Sequence, residues 1–288
     1  MSNRSARDKR LQLREILGAQ EVALAPSCGD VITSRLIESL GCAVIHGSGS
    51  SLHRNAGYPD AGLLTMTEML ASLTLMANSV SIPVIGDADT GFGGVANVVR
   101  TVREYERAGL AGMHIEDQLT PKRPPSAGGA TSAISRQEMV DKIAAAVDAR
   151  EDESFVIIAR SEVEDDLDEV IDRLGACAEV GADALWLSAS RPEEIARMRQ
   201  ALDRPLVGVL PKGLSLAAYG DLGASIACLP TWLETVASVA KRDLLREIIA
   251  TGSMAGYLSR LEGVEEMRTF VQDQGGEEMR SIEDRFTH

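Results

Sequence analysis

"PVIGDADTGFGG", residues 83–94, decides how the chain is read. It opens as a buried strand, Pro83-Val84-Ile85-Gly86. It then sets two carboxylates one residue apart, Asp87 and Asp89, and ends in glycine at 91, 93 and 94. An apolar run without in-and-out alternation suits a parallel strand covered on both faces. Two anions at its end, with no cation beside them in the sequence, suit the C-terminal strand edge where such sheets carry their sites.

Seven further runs resemble it: "EVALAPS" (21–27), "CAVIHGS" (42–48), "GMHIED" (112–117), "FVIIARS" (155–161), "ALWLSA" (184–189), "PLVGVLP" (205–211) and "SIACLP" (225–230). Helical spacing fills the intervals. Val95, Val98, Val99 and Val102 recur at i, i+3, i+4 and i+7, and a glycine stop follows in "RAGLAG". Ser135 and Glu138 have capping-box spacing at the head of 135–150, and 166–183 repeats the amphipathic pattern. Eight strands alternating with helices predict a (β/α)8 TIM barrel over residues 1–230, with a doubly wound sheet as the alternative.

Two long segments exceed a minimal barrel. Residues 49–65 form a polar insertion after the second strand, and 118–134, rich in Pro, Gly and Ser, form a flap after the fourth. Residues 231–288 are acidic and helical. Leu258, Leu261, Val264 and Met267 are expected to form one apolar face there, packed on a partner subunit.

The charge is −14, from 43 acidic against 29 basic residues, which argues against nucleic-acid or anionic-membrane partners. No run approaches a membrane span, and the basic N-terminus lacks the apolar core of a signal peptide. With Cys28, Cys42, Cys177 and Cys228 widely spaced, the expectation is reduced core thiols in a cytoplasmic protein.

The polar residues at the strand ends are His46, Gly47, Ser48 and Gly49; Asp87 and Asp89; Glu116 and Asp117; Arg160 and Glu162. Carboxylates on adjacent strands repel one another unless a cation sits among them. An all-oxygen set favours a hard ion, Mg2+ or Mn2+. The competing reading is that Asp87 and Asp89 cap the next helix while Glu116 makes a salt bridge. Arg160 ends an apolar strand where it can hold a carboxylate or phosphonate, or pair with Glu162 or Glu116. His114 reads as a buried structural residue and Trp186 as packing; His46 and His53 carry no assigned role.

Together the motifs resemble the isocitrate lyase/phosphoenolpyruvate mutase superfamily. The matching words are "GSGSS" (47–51), "GYPDAGLLTMTEML" (57–70), "GDADTGFGG" (86–94), "AGMHIEDQ" (111–118), "PKR" (121–123), "IIARSE" (157–162) and "GADALW" (181–186). The resemblance implies a modified (β/α)8 barrel, a homodimer or homotetramer with swapped C-terminal helices. It also implies Mg2+ held by Asp87, Asp89 and Glu116, partly through water, with Asp60 further out. Gly47, Ser48 and Gly49 would bind the substrate carboxylate and oxygen, Arg160 an anionic group, and Lys122 would sit on the gating loop. Ser48, Lys122 and Arg160 are the expected catalytic residues.

Departures from that pattern narrow the substrate. Pro124 stands at the position of the lyase flap cysteine and Ser126 at that of its histidine. Ser188 replaces a lyase glutamate and is taken as substrate-binding, and Gly208-Val209-Leu210 replaces Asn-x-Thr. These changes predict a small carboxylate substrate and cleavage of a C–C bond in a 2-oxo or 2-hydroxy acid, oxaloacetate or alkylmalate type, through a metal-stabilised enolate. The alternatives are phosphonopyruvate P–C chemistry and a non-catalytic metal- and carboxylate-binding homologue.

Overall fold

The computed structural model describes residues 4–122, 133–187, 191–230 and 232–286. Eight parallel strands close into a barrel in sequence order, which excludes the doubly wound alternative. They are β1 Ala23–Cys28, β2 Ile45–Gly47, β3 Val84–Asp87, β4 Gly112–Glu116, β5 Val156–Arg160, β6 Ala184–Leu187, β7 Leu206–Val209 and β8 Ala224–Leu229. The helices are α1 Ala6–Gly18, α2 Val31–Ser39, α3 Gly49–Asn55, α4 Met66–Ser79, α5 Val95–Arg107, α6 Arg136–Ala149 and α7 Leu167–Glu179. They continue with α8 Pro192–Ala201, α9 Leu216–Asp221, α10 Trp232–Thr251, α11 Ala255–Leu258, α12 Val264–Asp273 and α13 Gly276–Phe286.

Strand parity sorts the core into two layers. One cluster fills the barrel interior and includes Val44, Ile85, Val156, Ile158, Ala184, Trp186, Val207, Ile226 and Cys228. The other lies between strands and helices, with Ile45, Met113, Ile115, Ile157 and Leu185. Side chains alternate along a strand, so counting by two from the interior residues reaches His46, Asp87 and Arg160 at the C-terminal mouth, and Glu116 joins them because its neighbour Ile115 faces the helices. Cross-strand register sets Asp87 beside His114, Glu116 beside Arg160, and Arg160 beside Trp186.

The other end is closed by α1, an element the sequence reading treated only as a basic leader. A capping box between Ser5 and Asp8 starts it. Leu13 and Leu17 join the interior cluster. Arg10 donates to the Leu110 carbonyl at 3.2 Å and Arg14 to that of Ser154 at 3.0 Å, both just ahead of strands.

Three expectations are corrected. The segment 49–65 is not all loop, because Gly49–Asn55 is helical. Helix α5 is capped by Gly94 without a side-chain bond, so Asp87 and Asp89 do not cap it. Leu258 ends α11 while Val264 and Met267 lie on α12, so these residues and Leu261 share no single helical face.

The chain divides into two compact units, residues 1–233 and 234–288. Within the second, no residue of α11, α12 or α13 is buried. Of the flap, 123–132 lies outside the described residues, and so do Pro124 and Ser126. Its base is closed by an antiparallel bridge between Gln118 and Ala133.

Candidate active site

The acidic rim begins with Asp87, the last residue of β3. Tyr105 Oη donates to its main-chain carbonyl at 2.9 Å, while its carboxylate accepts the Gly49 N–H at 2.9 Å and the Asp89 N–H at 2.9 Å. Asp89 adopts a left-handed backbone, φ +45°. That conformation costs energy for a non-glycine residue and tends to persist where function requires it. It is held by β4, whose Glu116 N–H donates to the Asp89 carbonyl at 2.9 Å. Asp87, Asp89 and Glu116 thus meet in a buried cluster, at 3%, 3% and 1% exposure.

Lys122 reaches into this cluster, with Nζ 2.8 Å from Asp60 Oδ1, 2.5 Å from Asp89 Oδ1 and 3.9 Å from Glu116 Oε1. Even so, Asp89 Oδ2 and Glu116 Oε1 are buried without a hydrogen-bond donor among the described residues, and one ammonium is shared among three carboxylates. Buried carboxylate oxygens left unpaired in this way are costly. Among the described residues, the possible ligand atoms that lie within 4.8 Å of one another are those of His46, Asp87 and His114. Buried carboxylates on one rim nevertheless suit a divalent cation held partly through water. The residues present therefore fit the ion that the motifs imply.

Proton affinities follow from burial. Desolvation pushes Glu116 up to about 8 against the pull of Lys122 and Arg160. It also raises Asp89, with Lys122 opposing. Burial acts on Asp87 in the same sense, but His114, Lys122 and Arg160 overcome it and hold this carboxyl well below the usual range. The Lys122 ammonium resists desolvation because Glu116, Asp87, Asp89 and Asp60 surround it.

Arg160 ion-pairs with Glu162, lies 3.7 Å from Glu116 Oε2, and stacks over the Trp186 ring at 4.8 Å. Both ion pairs considered from the sequence are therefore present. Asp117 does not join the rim. It accepts from Ser161 Oγ at 2.7 Å and the Glu162 N–H at 2.8 Å, and pairs with Arg173, so it anchors the turn after β5. Ser188 lies outside the described residues.

Two histidines, His46, which carried no assigned role, and His114, read as a buried structural residue, sit together at the mouth. His46 Nδ1 is 2.8 Å from Ser27 Oγ, and its Nε2 is 3.0 Å from His114 Nε2. His114 Nδ1 lies 3.7 Å from Asp87 Oδ1, and the Trp186 ring packs on both imidazoles. Burial lowers His46 to about 4 and His114 well below its ordinary value, so both are neutral near pH ~7. Strand parity was the signal that could have found them.

The mouth opens into a cavity of about 180 Å3. Ser48, Asp60, Asp87, Lys122 and Arg160 line one part of it, and Trp186, Val209, Cys228 and Pro230 another. Small anionic ligands suit such a space, held by polar groups on one side and an apolar wall on the other.

A (β/α)8 barrel whose mouth gathers three buried carboxylates beside an arginine and a lysine defines a class: barrel proteins with a densely charged site at the C-terminal strand ends. The model of the phosphoenolpyruvate phosphomutase family matches residues 13–249, and the chain belongs to that family. It is 35% identical to 2,3-dimethylmalate lyase of Eubacterium barkeri over 283 residues, covering 94% of this chain and 96% of the relative. It is 38% identical to an oxaloacetate decarboxylase of Pseudomonas paraeruginosa over 269 residues, covering 91% and 92%. Among solved structures, a phosphonopyruvate hydrolase complexed with oxalate and Mg2+ superposes with a TM-score of 0.87 at 31% identity, covering 97% and 99%. The resemblance read from the motifs is borne out.

Proposed function

We propose that the chain is a Mg2+-dependent carbon–carbon lyase or decarboxylase acting on a small 2-oxo or 2-hydroxy dicarboxylate of the oxaloacetate or alkylmalate type. The observation that carries this reading is the buried acidic rim of Asp87, Asp89 and Glu116, where Asp89 Oδ2 and Glu116 Oε1 find no donor among the described residues, beside a cavity lined by Asp60, Asp87, Lys122 and Arg160. Asp87, Asp89 and Glu116 hold the ion, with Asp60 further out. When bound, Mg2+ supplies positive charge against the substrate's C1 carboxylate and C2 oxygen.

The chain's own residues do the rest. Ser48, flanked by glycines at 47 and 49 that let a ligand approach the backbone closely, offers its hydroxyl to the C1 end. Arg160, preoriented over Trp186, takes the second anionic group. Lys122 offsets the negative rim beside the reacting carbons and closes the site. In decarboxylation the C3–C4 bond breaks, CO2 leaves, and the electron pair delocalises from C3 toward the 2-oxo group before C3 takes a proton. No base is needed to start that step, so the absence of a cysteine at Pro124 is tolerated. The wall of Trp186, Val209, Cys228 and Pro230 supports a small alkyl substituent rather than a third carboxylate.

Purified protein with Mg2+ is expected to release product from oxaloacetate or a 2-alkylmalate, and the Asp89→Asn variant to lose that turnover. Silence across both substrate types would overturn the proposal. A second reading, P–C cleavage of phosphonopyruvate, is favoured by the likeness to the phosphonopyruvate hydrolase structure. Phosphorus NMR on phosphonopyruvate separates the two, because only this second reading moves the phosphorus signal. A homodimer or homotetramer with swapped C-terminal helices in the cytoplasm belongs to the same proposal. Its support is the exposed apolar side chains of the second unit, Ile249 at 83% and Phe286 at 70%.

A further inference from the structure

His53 lies in α3, is 0% exposed, and has no part of its own in the proposed reaction. Its ring is nevertheless fixed at both nitrogens. Nε2 accepts the Leu64 main-chain N–H at 3.2 Å, and Nδ1 stands 2.8 Å from the Gly49 carbonyl. A peptide N–H can only donate, so Nε2 carries the lone pair and the ring proton sits on Nδ1, donating to Gly49. One neutral tautomer alone satisfies both bonds.

The two ends of a loop return to this residue. The Tyr58 N–H donates to the His53 carbonyl at 2.9 Å, and the Leu64 N–H to its ring. Between them lies Asp60, whose Oδ1 is 2.8 Å from Lys122 Nζ and 3.8 Å from His53 Nδ1. The same loop bears on the flap base at Gly62, φ +62°, where a Cβ would come within 3.2 Å of the Lys122 nitrogen. The other ring nitrogen ties the loop to Gly49, whose N–H holds Asp87.

We propose that His53 is a positioning residue: its doubly bonded ring clips the 58–64 loop to Gly49 and so sets Asp60 against Lys122. The inference rests on the reading that Asp60 and Lys122 belong to the active site. It does not depend on which substrate is turned over.

Two substitutions dissect the clip. The Asn side chain reaches the Nδ1 position and keeps a donor toward Gly49, but cannot accept from Leu64. Gln extends to the Nε2 position and offers an oxygen to Leu64. Amide hydrogen exchange is measured over 58–64 and over a reference barrel strand in full-length wild type, His53→Asn and His53→Gln.

The expected result is exchange at least about tenfold faster over 58–64 in His53→Asn. The reference strand should be unchanged, and His53→Gln should stay near wild type. In turnover assays His53→Asn should lose about ten- to a hundredfold in kcat/KM, with His53→Gln recovering most of it. Wild-type exchange in both variants would overturn the proposal. So would equal losses in both variants with a matching fall in Tm, which is the signature of simple packing. The exchange result stands even if no substrate is found, so failure of the clip is distinguishable from failure of the lyase reading.

Discussion

The Gly49 main-chain N–H donates to Asp87 Oδ2 at 2.9 Å, and a Cβ placed on Gly49 would lie 2.7 Å from that same oxygen. The first residue of α3 is therefore glycine because the acidic rim occupies the space a side chain would need. The contact joins two elements far apart in the chain, the turn that would hold a substrate carboxylate and the strand that would hold the metal. Gly49→Ala should leave α3 intact, since alanine is the better helix former. It should displace Asp87 and lower kcat/KM by about a hundredfold with little change in Tm. Steady-state kinetics beside a melting curve checks this, and wild-type kinetics would refute it.

How much of this could be read beforehand varies by residue. The barrel was legible because each strand is a short, continuously apolar run ending in polar residues, and the edges were off by only a few positions. Asp87, Asp89 and Glu116 were legible for the same reason, as end-of-strand acids on neighbouring strands. Asp117 was misplaced because it adjoins Glu116 in sequence while strand alternation turns it to the other face, toward Ser161 and Arg173. His46 and His114 are 68 residues apart and meet only through the register of β2, β3 and β4. Helix α1 escaped because its two inward residues, Leu13 and Leu17, form too narrow a stripe to stand out among charges.

Burial raises Glu116 to about 8. A divalent cation binds the ionised carboxylate, so it must displace that proton at neutral pH. Affinity for Mg2+ should rise as pH climbs toward about 8 and level off above it, changing by at most about tenfold per unit below. Calorimetric titration in two buffers of different ionisation enthalpy reads the displaced proton directly. A binding enthalpy independent of buffer at pH ~7 would sink the prediction.

His46 makes the opposite kind of pH statement, about the fold. Burial lowers it from 6.5 to about 4, so the unfolded chain binds a proton that the folded chain refuses in this window. Stability is then fully present above about 6.5, declines as pH falls toward about 4, and changes no further below it on this group's account. The contribution is on the order of 3 kcal/mol at about 1.4 kcal/mol per unit. Urea unfolding near pH ~7 and ~4.5 should show a change less unfavourable to low pH in His46→Gln than in wild type, the opposite contribution of Glu116, which binds its proton in the folded state across this window, being common to both. Equal changes in the two proteins would exclude His46 as a source.

Arg160 offers the sharpest separation of binding from chemistry. Its guanidinium is held over the Trp186 ring while Glu162 and Glu116 flank it, so its fork is oriented before any ligand arrives. A lysine at this position keeps the charge but loses both the fork and the stacking surface. An anchor for the substrate's second anionic group acts mainly in the ground state, because in oxaloacetate that C4 carboxylate loses its charge as CO2 departs. Arg160→Lys should therefore raise KM by about ten- to a hundredfold while kcat changes far less. Trp186→Leu should raise KM as well, by releasing the guanidinium. The double variant should cost less than the two single losses combined, because both remove the same preorganised cation. If Arg160→Lys instead lowers kcat at unchanged KM, Arg160 acts on the reacting centre and the anchor assignment fails.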